Sequence, residues 1–276
     1  MNFSLSNDQI AFTNMVRTFA DEKMAPYAKD WDEEKFLPVN VLKEAATLGL
    51  AGIYIDEKLG GTGLGRLDAA LIFEELSTAC PSTAAFLSIH NMASWMISKY
   101  GNNYHFEGVL KKLISMEFIA SYCLTEPGSG SDAGSLSTVA KKEGDFYVIN
   151  GTKSFISGAS LSDIYLTMVR TGDSGANGIS CLIIEKDTKG LSFGKLEKKM
   201  GWNSQPTAQV IFENCKVPIK NLIGNEGDGF KIAMQGLDGG RINIASCSIG
   251  AAKVCLEKSL NYVNEAIVVY KNKNNF

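Results

Sequence analysis

The segment best suited to hold a ligand is a loop rich in glycine and hydroxyl side chains. Residues 122–133 read YCLTEPGSGSDA and follow a strand-like run that begins near Phe118 and ends before Pro127. Small residues let backbone N–H groups approach a flat, electron-rich ligand, and hydroxyls add further donors. Such a loop can hold a planar ring and an anionic group together. Because most loops of this composition are ordinary turns, the loop alone would not indicate a function.

Two further segments could complete such a site. The Phe155-Ile156-Ser157 segment offers an aromatic face and a hydroxyl, although plain strand packing and a turn would use the same residues. Residues 238–241 read DGGR, where paired glycines allow a ligand to come close to the start of a helix. The alternative is that Asp238 caps that helix and that Arg241 is a solvated or paired charge.

The other reactive side chains predict neither a metal centre nor a disulfide framework. The chain has six cysteines and two histidines, and no two cysteines form a C-x-x-C pair. We therefore expect free, buried thiols in a reducing compartment. Cys123 lies inside the loop at 122–133, and we interpret it as a packing residue and not as a nucleophile.

The composition is that of a folded soluble protein of one or two domains. Of the 276 residues, 45 % are hydrophobic, and the formal net charge is −3. We expect no nucleic-acid binding, which calls for a clustered basic surface. No apolar run approaches the ~20 residues that span a bilayer, and a helix start at Ser6 leads us to expect no targeting segment. Lys195, Lys198 and Lys199 are interpreted as a solvated face, with a contact to a ligand phosphate as the alternative.

The first part of the chain, to residue 116, has the periodicity of helices. Ser6 and Gln9 predict a capping box, and apolar residues recur after it at helical spacing. Further helices are predicted over 39–48, over 67–80, from Ser82 as a cap to residue 97, and over 106–113. The glycines between residues 60 and 65 do not match G-x-G-x-x-G and follow no strand, so we expect no nicotinamide-binding fold.

From Phe118 the pattern changes to that of strands. Asn150-Gly151 between two strand-like runs predicts a hairpin. Residues 163–170 and 179–185 predict another hairpin, and residues 207–215 predict a further strand. Short connections favour antiparallel pairing in a sandwich or barrel.

After residue 229 the pattern returns to helices, a short one over 230–236 and a long one over 238–265. The predicted fold class is α+β, in three parts. These are an N-terminal helical domain (1–117), a middle antiparallel β domain (118–225) and the start of a C-terminal helical domain (226–276).

This order of domains and several local stretches resemble the acyl-CoA dehydrogenase family. Besides the loop at 122–133, the similar stretches are SIHNMASWMI at 88–97, ISGA at 156–159, LSFGKLEKKMGWNSQPT at 191–207 and GGRINIASCS at 239–248. The resemblance covers Leu5 to about Glu265. It implies a FAD-dependent oxidoreductase that removes two hydrogens from Cα and Cβ of an acyl-CoA. The stretches are most similar to members that act on a short branched chain, isobutyryl-CoA, in valine breakdown.

The resemblance also assigns the site residues. Those implied to bind FAD are Tyr122, Cys123, Leu124, Thr125, Glu126, Pro127, Gly128, Ser129, Gly130, Ser131, Phe155, Ile156 and Ser157. Those implied to contact the acyl-CoA substrate are Ser131, Asp238, Gly239, Gly240 and Arg241. Further implications are an electron-transferring flavoprotein as electron acceptor, a homotetramer, and a location in the mitochondrial matrix.

One catalytic position departs from the family pattern. Most members place the glutamate that removes the α proton in the C-terminal helical domain, and a minority place it at the position of Gly240. The similarity stops after Glu265, so we expect a truncated chain that lacks the general base and is inactive. A non-catalytic subunit that binds flavin and acyl-CoA stays open as an alternative, as does another short-chain acyl-CoA dehydrogenase.

Overall fold

A computed structural model describes residues 4–273, with side chains described through residue 266. The helices are α1 (Asn7–Lys23), α2 (Ala28–Glu34), α3 (Val39–Thr47), α4 (Arg66–Ala79), α5 (Pro81–Tyr100), α6 (Asn103–His105), α7 (Lys111–Ile114) and α8 (Gly229–Lys273), with a π-helical turn at Phe106–Leu110. The strands are β1 (Ala120–Cys123), β2 (Val139–Glu143), β3 (Phe146–Ser157), β4 (Ile164–Arg170), β5 (Ile179–Glu185), β6 (Leu191–Phe193), β7 (Thr207–Pro218) and β8 (Leu222–Ile223). The predicted α+β class, with helices before and after a β region, is confirmed.

The N-terminal helices begin largely as predicted. The Ser6 hydroxyl accepts a hydrogen bond from the Gln9 amide at 3.1 Å, and the Gln9 side chain returns a bond to the Ser6 amide. The predicted cap at Ser82 is wrong, because α5 already begins at Pro81. Proline suits the first helical position, where its missing N–H costs nothing. The Ser82 hydroxyl instead accepts bonds from Ser204 and Gln205, which tie α5 to the β region.

The strands form one eight-stranded sheet with the order β6-β7-β3-β2-β4-β5-β8, and β1 pairs with β4. The predicted hairpin of β4 and β5 is confirmed, with Ile164 opposite Glu185. The antiparallel expectation holds for most pairs but not for β1 and β2, which both run parallel to β4. This parallel pairing places the carboxyl end of β1, and so the start of the loop at 122–133, beside the core of the sheet.

The predicted hairpin at Asn150-Gly151 is wrong, because both residues lie inside β3. The β3–β7 register shifts between Ile149 and Gly151, which marks a β-bulge. Gly151 has φ +149°, and a Cβ there would lie 2.5 Å from the Thr138 hydroxyl oxygen. Glycine therefore serves a bulge and a close strand approach here, a use that a sequence pattern does not separate from a turn.

The predicted break near residue 237 is also wrong, since α8 runs unbroken through its glycines. The helix packs against α4 and α5. At Gly250 an added Cβ would lie 2.0 Å from the Glu74 carbonyl oxygen, so the two helices approach very closely there. Asp238 lies inside the helix and caps nothing. Farther along α8 apolar side chains are exposed, among them Leu256 at 62 %.

The structure also bears on the predictions for the cysteines, for the lysines between residues 195 and 199, and for membrane-spanning segments. Five of the six cysteines are buried free thiols, but Cys255 is exposed. Lys195 and Lys198 are exposed, whereas Lys199 is half-buried and donates hydrogen bonds to the carbonyls of Trp202 and Gln205. No helix within residues 4–273 is long and apolar enough to cross a membrane.

Candidate functional site

A cleft of about 820 Å³ lies between the edge of the sheet and the helices α5 and α8. One side, here named the sheet wall, consists of Tyr122, Leu124, Thr125, Gly130, Ser131, Phe155, Ile156 and Ser157. The opposite side, the helix wall, consists of Ser88, Ile89, Met92, Phe230, Met234, Leu237, Gly240, Arg241 and Ile244. Trp202 and residues 132–134 complete the lining. The volume is within the usual range of small-molecule and cofactor sites.

The structure thus brings the three predicted segments to one cleft, although not every predicted residue lines it. The predicted residues that do not line it are Cys123, Glu126, Pro127, Gly128, Ser129, Asp238 and Gly239. Cys123 is fully buried in the sheet core, and burial raises the pKa of its thiol to about 12, which agrees with a packing role. A Cβ at Gly239 would lie 2.2 Å from an Arg66 guanidinium nitrogen, so glycine there serves packing between α8 and α4.

The sheet wall presents hydroxyl groups that have no hydrogen-bond partner among the described residues. The Tyr122 hydroxyl is buried and has no hydrogen-bond partner among the described residues, and burial raises its pKa well above the ordinary value. Within the same described part of the chain, the hydroxyls of Thr125, Ser131 and Ser157 also make no hydrogen bond. Buried polar groups in proteins are normally paired. A ligand that offers acceptors or donors to these groups would satisfy them.

Two aromatic residues of the lining have an unusual backbone. Phe155 and Trp202 have φ values of +58° and +55°, a conformation that costs non-glycine residues of order 1–3 kcal/mol. The β3–β7 register shifts a second time between Lys153 and Ile156, so Phe155 sits in a β-bulge. Bulges often redirect a side chain next to a site. Here the Phe155 ring is 66 % exposed on the cleft side of the sheet, where it offers a free aromatic face.

A buried ion pair lies directly behind the sheet wall. Lys153 Nζ donates to Glu126 Oε1 at 2.7 Å and to the Leu124 carbonyl at 3.1 Å, with both charged side chains at most 3 % exposed. Burial alone would raise the pKa of Glu126, but the Lys153 charge and hydrogen-bond donors lower it to about 2. Burial lowers the pKa of Lys153, and the Glu126 charge opposes that shift.

The helix wall is apolar and contains little that could act as a base. A Cβ at Gly240 would lie 3.0 Å from Met92 Sδ, so the glycine lets α8 approach α5 at the cleft. Among the described residues that line the cleft, Asp132 alone carries a carboxylate. Arg241 is exposed and pairs with Asp238 at 3.2 Å. This is the paired charge expected as the alternative, although Arg241 also lines the cleft.

Sequence reasoning missed much of the lining. Met92 and Trp202 lie in stretches that resemble the acyl-CoA dehydrogenase family, but no feature of their chemistry indicates a ligand contact. Phe230, Met234 and Leu237 follow one another at helical spacing on α8. Such spacing is the ordinary sign of a core face, and only the position of α8 shows that this face borders a cleft.

Models of three acyl-CoA dehydrogenase domains match the chain: the N-terminal domain at residues 6–117, the middle domain at 121–215 and the C-terminal domain at 227–269. Together these matches take in most of the sequence, in the order that the fold shows. The chain belongs to the acyl-CoA dehydrogenase family.

Individual relatives agree with this assignment. The chain is 58 % identical to the mitochondrial isobutyryl-CoA dehydrogenase of Dictyostelium discoideum, over 94 % of this chain and 62 % of that protein. It is 52 % identical to the protein of the same name from Bos taurus, over 95 % of this chain and 63 % of that protein. The structure of butyryl-CoA dehydrogenase from Megasphaera elsdenii matches with a TM-score of 0.90 and 35 % identity, over 95 % of this chain and 70 % of that one. The chain therefore spans less than two thirds of the length of these two curated relatives.

Proposed function

We propose that the cleft binds FAD and a short branched acyl-CoA, in the arrangement used for α,β-dehydrogenation of substrates such as isobutyryl-CoA. The observation that carries this proposal is the pairing of the two walls. Unpartnered hydroxyls and an exposed aromatic ring face the cleft from the sheet, and an apolar helical surface lies opposite them. The choice of a short branched acyl chain is supported by the names of the two curated relatives, both of which are isobutyryl-CoA dehydrogenases.

The residues of the sheet wall fit a flavin. The buried Tyr122 hydroxyl lacks a partner, and Phe155 offers an aromatic face to a planar ring. Gly130 leaves open space, because a Cβ there would meet nothing within 4 Å. Glycine at this position is therefore not required by packing within the described residues, as expected for a loop that a ligand approaches closely. Thr125, Ser131 and Ser157 would hold the ring edge through their hydroxyls.

Each wall would have its own part in the reaction. FAD, when bound, supplies the acceptor for the hydride that leaves Cβ of the acyl chain. The hydroxyls of Thr125 and Ser157 orient groups at the sheet wall. Met92, Leu237 and Ile244 exclude water from the opposite side and pack against the acyl chain. Such a pocket distinguishes chains that differ by one methylene by about 1–3 kcal/mol.

A second candidate function is binding without turnover. The composition of the cleft lining favours it. Position 240 is glycine, and among the described lining residues Asp132 alone carries a carboxylate. Removal of an α proton needs a base within hydrogen-bond reach of it. We propose that none of the described residues lining the cleft supplies that base, and that the 276-residue chain does not turn over isobutyryl-CoA.

A titration of the purified chain with FAD, followed by isobutyryl-CoA, tests both candidates. We expect a perturbed flavin absorbance spectrum on binding. Bleaching of that spectrum by isobutyryl-CoA would support dehydrogenation, whereas a shift without bleaching would support binding alone. With an artificial electron acceptor present, we expect no turnover.

A matched pair of variants sharpens the test. Gly130→Leu fills space that is open in the ligand-free protein, so it should leave the fold intact and abolish FAD binding. Gly108→Leu adds the same side chain where a Cβ also meets nothing within 4 Å, but away from the cleft. Failure of the unmodified chain to bind FAD, or equal binding by both variants, would contradict the proposal.

The wider setting is proposed from the family resemblance. We propose a role in valine breakdown in the mitochondrial matrix, supported by the mitochondrial designation of both relatives. An electron-transferring flavoprotein is the proposed electron acceptor. A homotetramer is the proposed assembly.

A further inference from the structure

We infer that the buried pair of Glu126 and Lys153 positions the sheet wall, by fixing the loop after β1 against β3 before any ligand binds. The two residues are positioning residues, since neither lines the cleft. The inference rests on the proposed function where it concerns FAD, but the positioning itself concerns the ligand-free chain.

The two segments of the sheet wall come from different strands and need a connection. Lys153 provides it from β3, because its ammonium group binds the Leu124 carbonyl and the Glu126 carboxylate. One residue farther along each segment, the Ser154 amide donates to the Thr125 carbonyl at 2.8 Å. The loop is thus attached to β3 at three consecutive residues, through the backbone carbonyls of Leu124 and Thr125, which line the cleft, and through the side chain of Glu126.

The carboxylate of Glu126 also closes the far end of the loop. Its Oε2 atom accepts bonds from the Ser137 amide at 2.6 Å and from the Ser137 hydroxyl at 2.8 Å. Its Oε1 atom accepts a bond from the Thr138 amide at 2.9 Å. Residues 126 and 137 are therefore held together, and the glycine- and serine-rich segment between them forms a closed loop. A loop of such residues is otherwise costly to order.

The position of Lys153 explains the second bulge of β3. Lys153 and Ser154 are consecutive residues and both are buried. Strict alternation along a strand would expose one of them. The bulge between Lys153 and Ile156 removes this conflict, so that Lys153 reaches the loop from behind while Phe155 faces the cleft. The ion pair and the strained aromatic residue are thus two results of one backbone irregularity.

Hydrogen exchange of the ligand-free chain tests the inference without any cofactor. The test variant carries both E126Q and K153M, which removes both charges while keeping two long side chains. We expect the amides of Ser137, Thr138 and Ser154 to exchange at least about tenfold faster than in the unmodified chain, because each lies at an attachment of the loop. The Arg170 amide on β4 donates to the Thr138 carbonyl and should follow the loop, whereas amides in β5 should keep their rates.

The control variant is Asn221→Ala, which also removes a buried side-chain bond, from Asn221 Nδ2 to the Ile183 carbonyl, far from the loop. Its effect should stay near Ile183. Unchanged exchange at Ser137, Thr138 and Ser154 in the double variant, or the same acceleration there in both variants, would overturn the inference.

If the double variant does not fold, K153R serves instead, since a guanidinium retains charge but cannot fit the same enclosed contacts. Accelerated exchange at Ser154 in K153R would support the inference, and unchanged exchange would overturn it.

An FAD titration of the same proteins separates the inference from the proposed function. We expect the double variant to bind FAD at least about tenfold more weakly than Asn221→Ala at equal thermal stability. If the unmodified chain binds no FAD, the proposed function fails, while the exchange result still decides the positioning. If FAD binding is unchanged although exchange is faster, the loop is positioned by the pair but does not hold the flavin, and the FAD part of the inference is overturned.

Discussion

The two walls of the cleft are held in place by different means. The sheet wall depends on buried polar groups, namely the Glu126–Lys153 pair and the donors around it. The helix wall depends on close packing of α8, which has glycine against side chains of α4 and α5 at positions 239 and 240 and against the α4 backbone at position 250. Polar anchoring fixes a loop that has little apolar surface of its own, whereas close packing fixes a helix that has much. Different substitutions should therefore destabilise the two walls.

The largest effect is expected when one partner of the ion pair is removed alone. Lys153→Met leaves the Glu126 carboxylate buried without a counter-charge and should lower the free energy of unfolding by about 3–5 kcal/mol. Urea denaturation measures this loss. Lys142→Met, on the exposed side of β2, should change stability by less than about 0.5 kcal/mol. Similar losses in both variants would show that the pair does not stabilise the sheet wall.

The next effect concerns the helix wall. In Gly250→Ala the new Cβ would lie 2.0 Å from the Glu74 carbonyl oxygen, and backbone cannot move aside as a side chain can. We expect a loss of about 3 kcal/mol in the free energy of unfolding, because α8 must shift away from α4. Gly108→Ala, where a Cβ meets nothing within 4 Å, is the control. The same substitution there should be neutral or stabilising, and equal losses at both sites would contradict close packing as the cause.

A smaller effect is expected at the seam between the two walls, where His90 on α5 contacts β1. The Ala120 amide donates to His90 Nδ1 at 3.2 Å, so Nε2 carries the hydrogen and donates to the Leu113 carbonyl at 3.1 Å. Burial lowers the pKa of His90 to about 4. In the unfolded chain His90 is protonated below about pH 6.5, whereas in the folded chain it stays neutral down to about pH 4. The free energy of unfolding therefore falls as the pH falls from about 6.5 to about 4.

The measurement is the free energy of unfolding at pH 6.5 and at pH 5. His90 should contribute a loss of about 1.5 kcal/mol over this interval. His90→Gln should remove that contribution. His105, whose pKa burial also lowers, gives the second control, because His105→Gln should leave the His90 contribution in place. An unchanged pH dependence in His90→Gln would exclude His90 as its source.

The smallest effect separates two neighbouring residues of α8. Arg241 lines the cleft and Asp238 does not, although the two form an exposed ion pair. Asp238→Asn should change stability by less than about 0.5 kcal/mol and leave the dissociation constant of isobutyryl-CoA unchanged. Arg241→Gln should weaken acyl-CoA binding measurably. A stronger loss of binding in Asp238→Asn would restore the sequence-based assignment of Asp238 to the substrate.

These differences explain what the sequence could predict. Local chemistry marks the segments of the sheet wall, a glycine- and hydroxyl-rich loop and a short aromatic–hydroxyl segment, but only the family resemblance assigns them to a flavin. The helix wall was largely missed, since Met92 and Leu237 look like any core residues until the helices are placed. The sequence predicts a turn at Gly151, which instead lies in a β-bulge. The ligand contact at Gly239 stays a prediction, although this glycine lies against Arg66 and outside the cleft lining.

The ion pair could not be predicted from spacing alone. Glu126 lies in the loop after β1 and Lys153 lies on β3, and their contact depends on the bulge that turns Lys153 inward. A bulge arises from the fit of a strand to its partner, which is a property of the sheet and not of one segment.

The unbroken course of α8 has a mechanical consequence. At a rise of about 1.5 Å per residue, its 45 residues make a rod of about 67 Å. Its first turns carry Phe230 and Met234 at the cleft, while its later turns lie outside the cleft and expose apolar side chains such as Leu256. Measured from Gly250, where α8 crosses α4, Met234 lies roughly 24 Å to one side and Lys273 roughly 35 Å to the other, so a tilt about that crossing would displace both ends by similar amounts. Leverage of this kind would transmit a push on the outer turns to the cleft, reduced only by about one third.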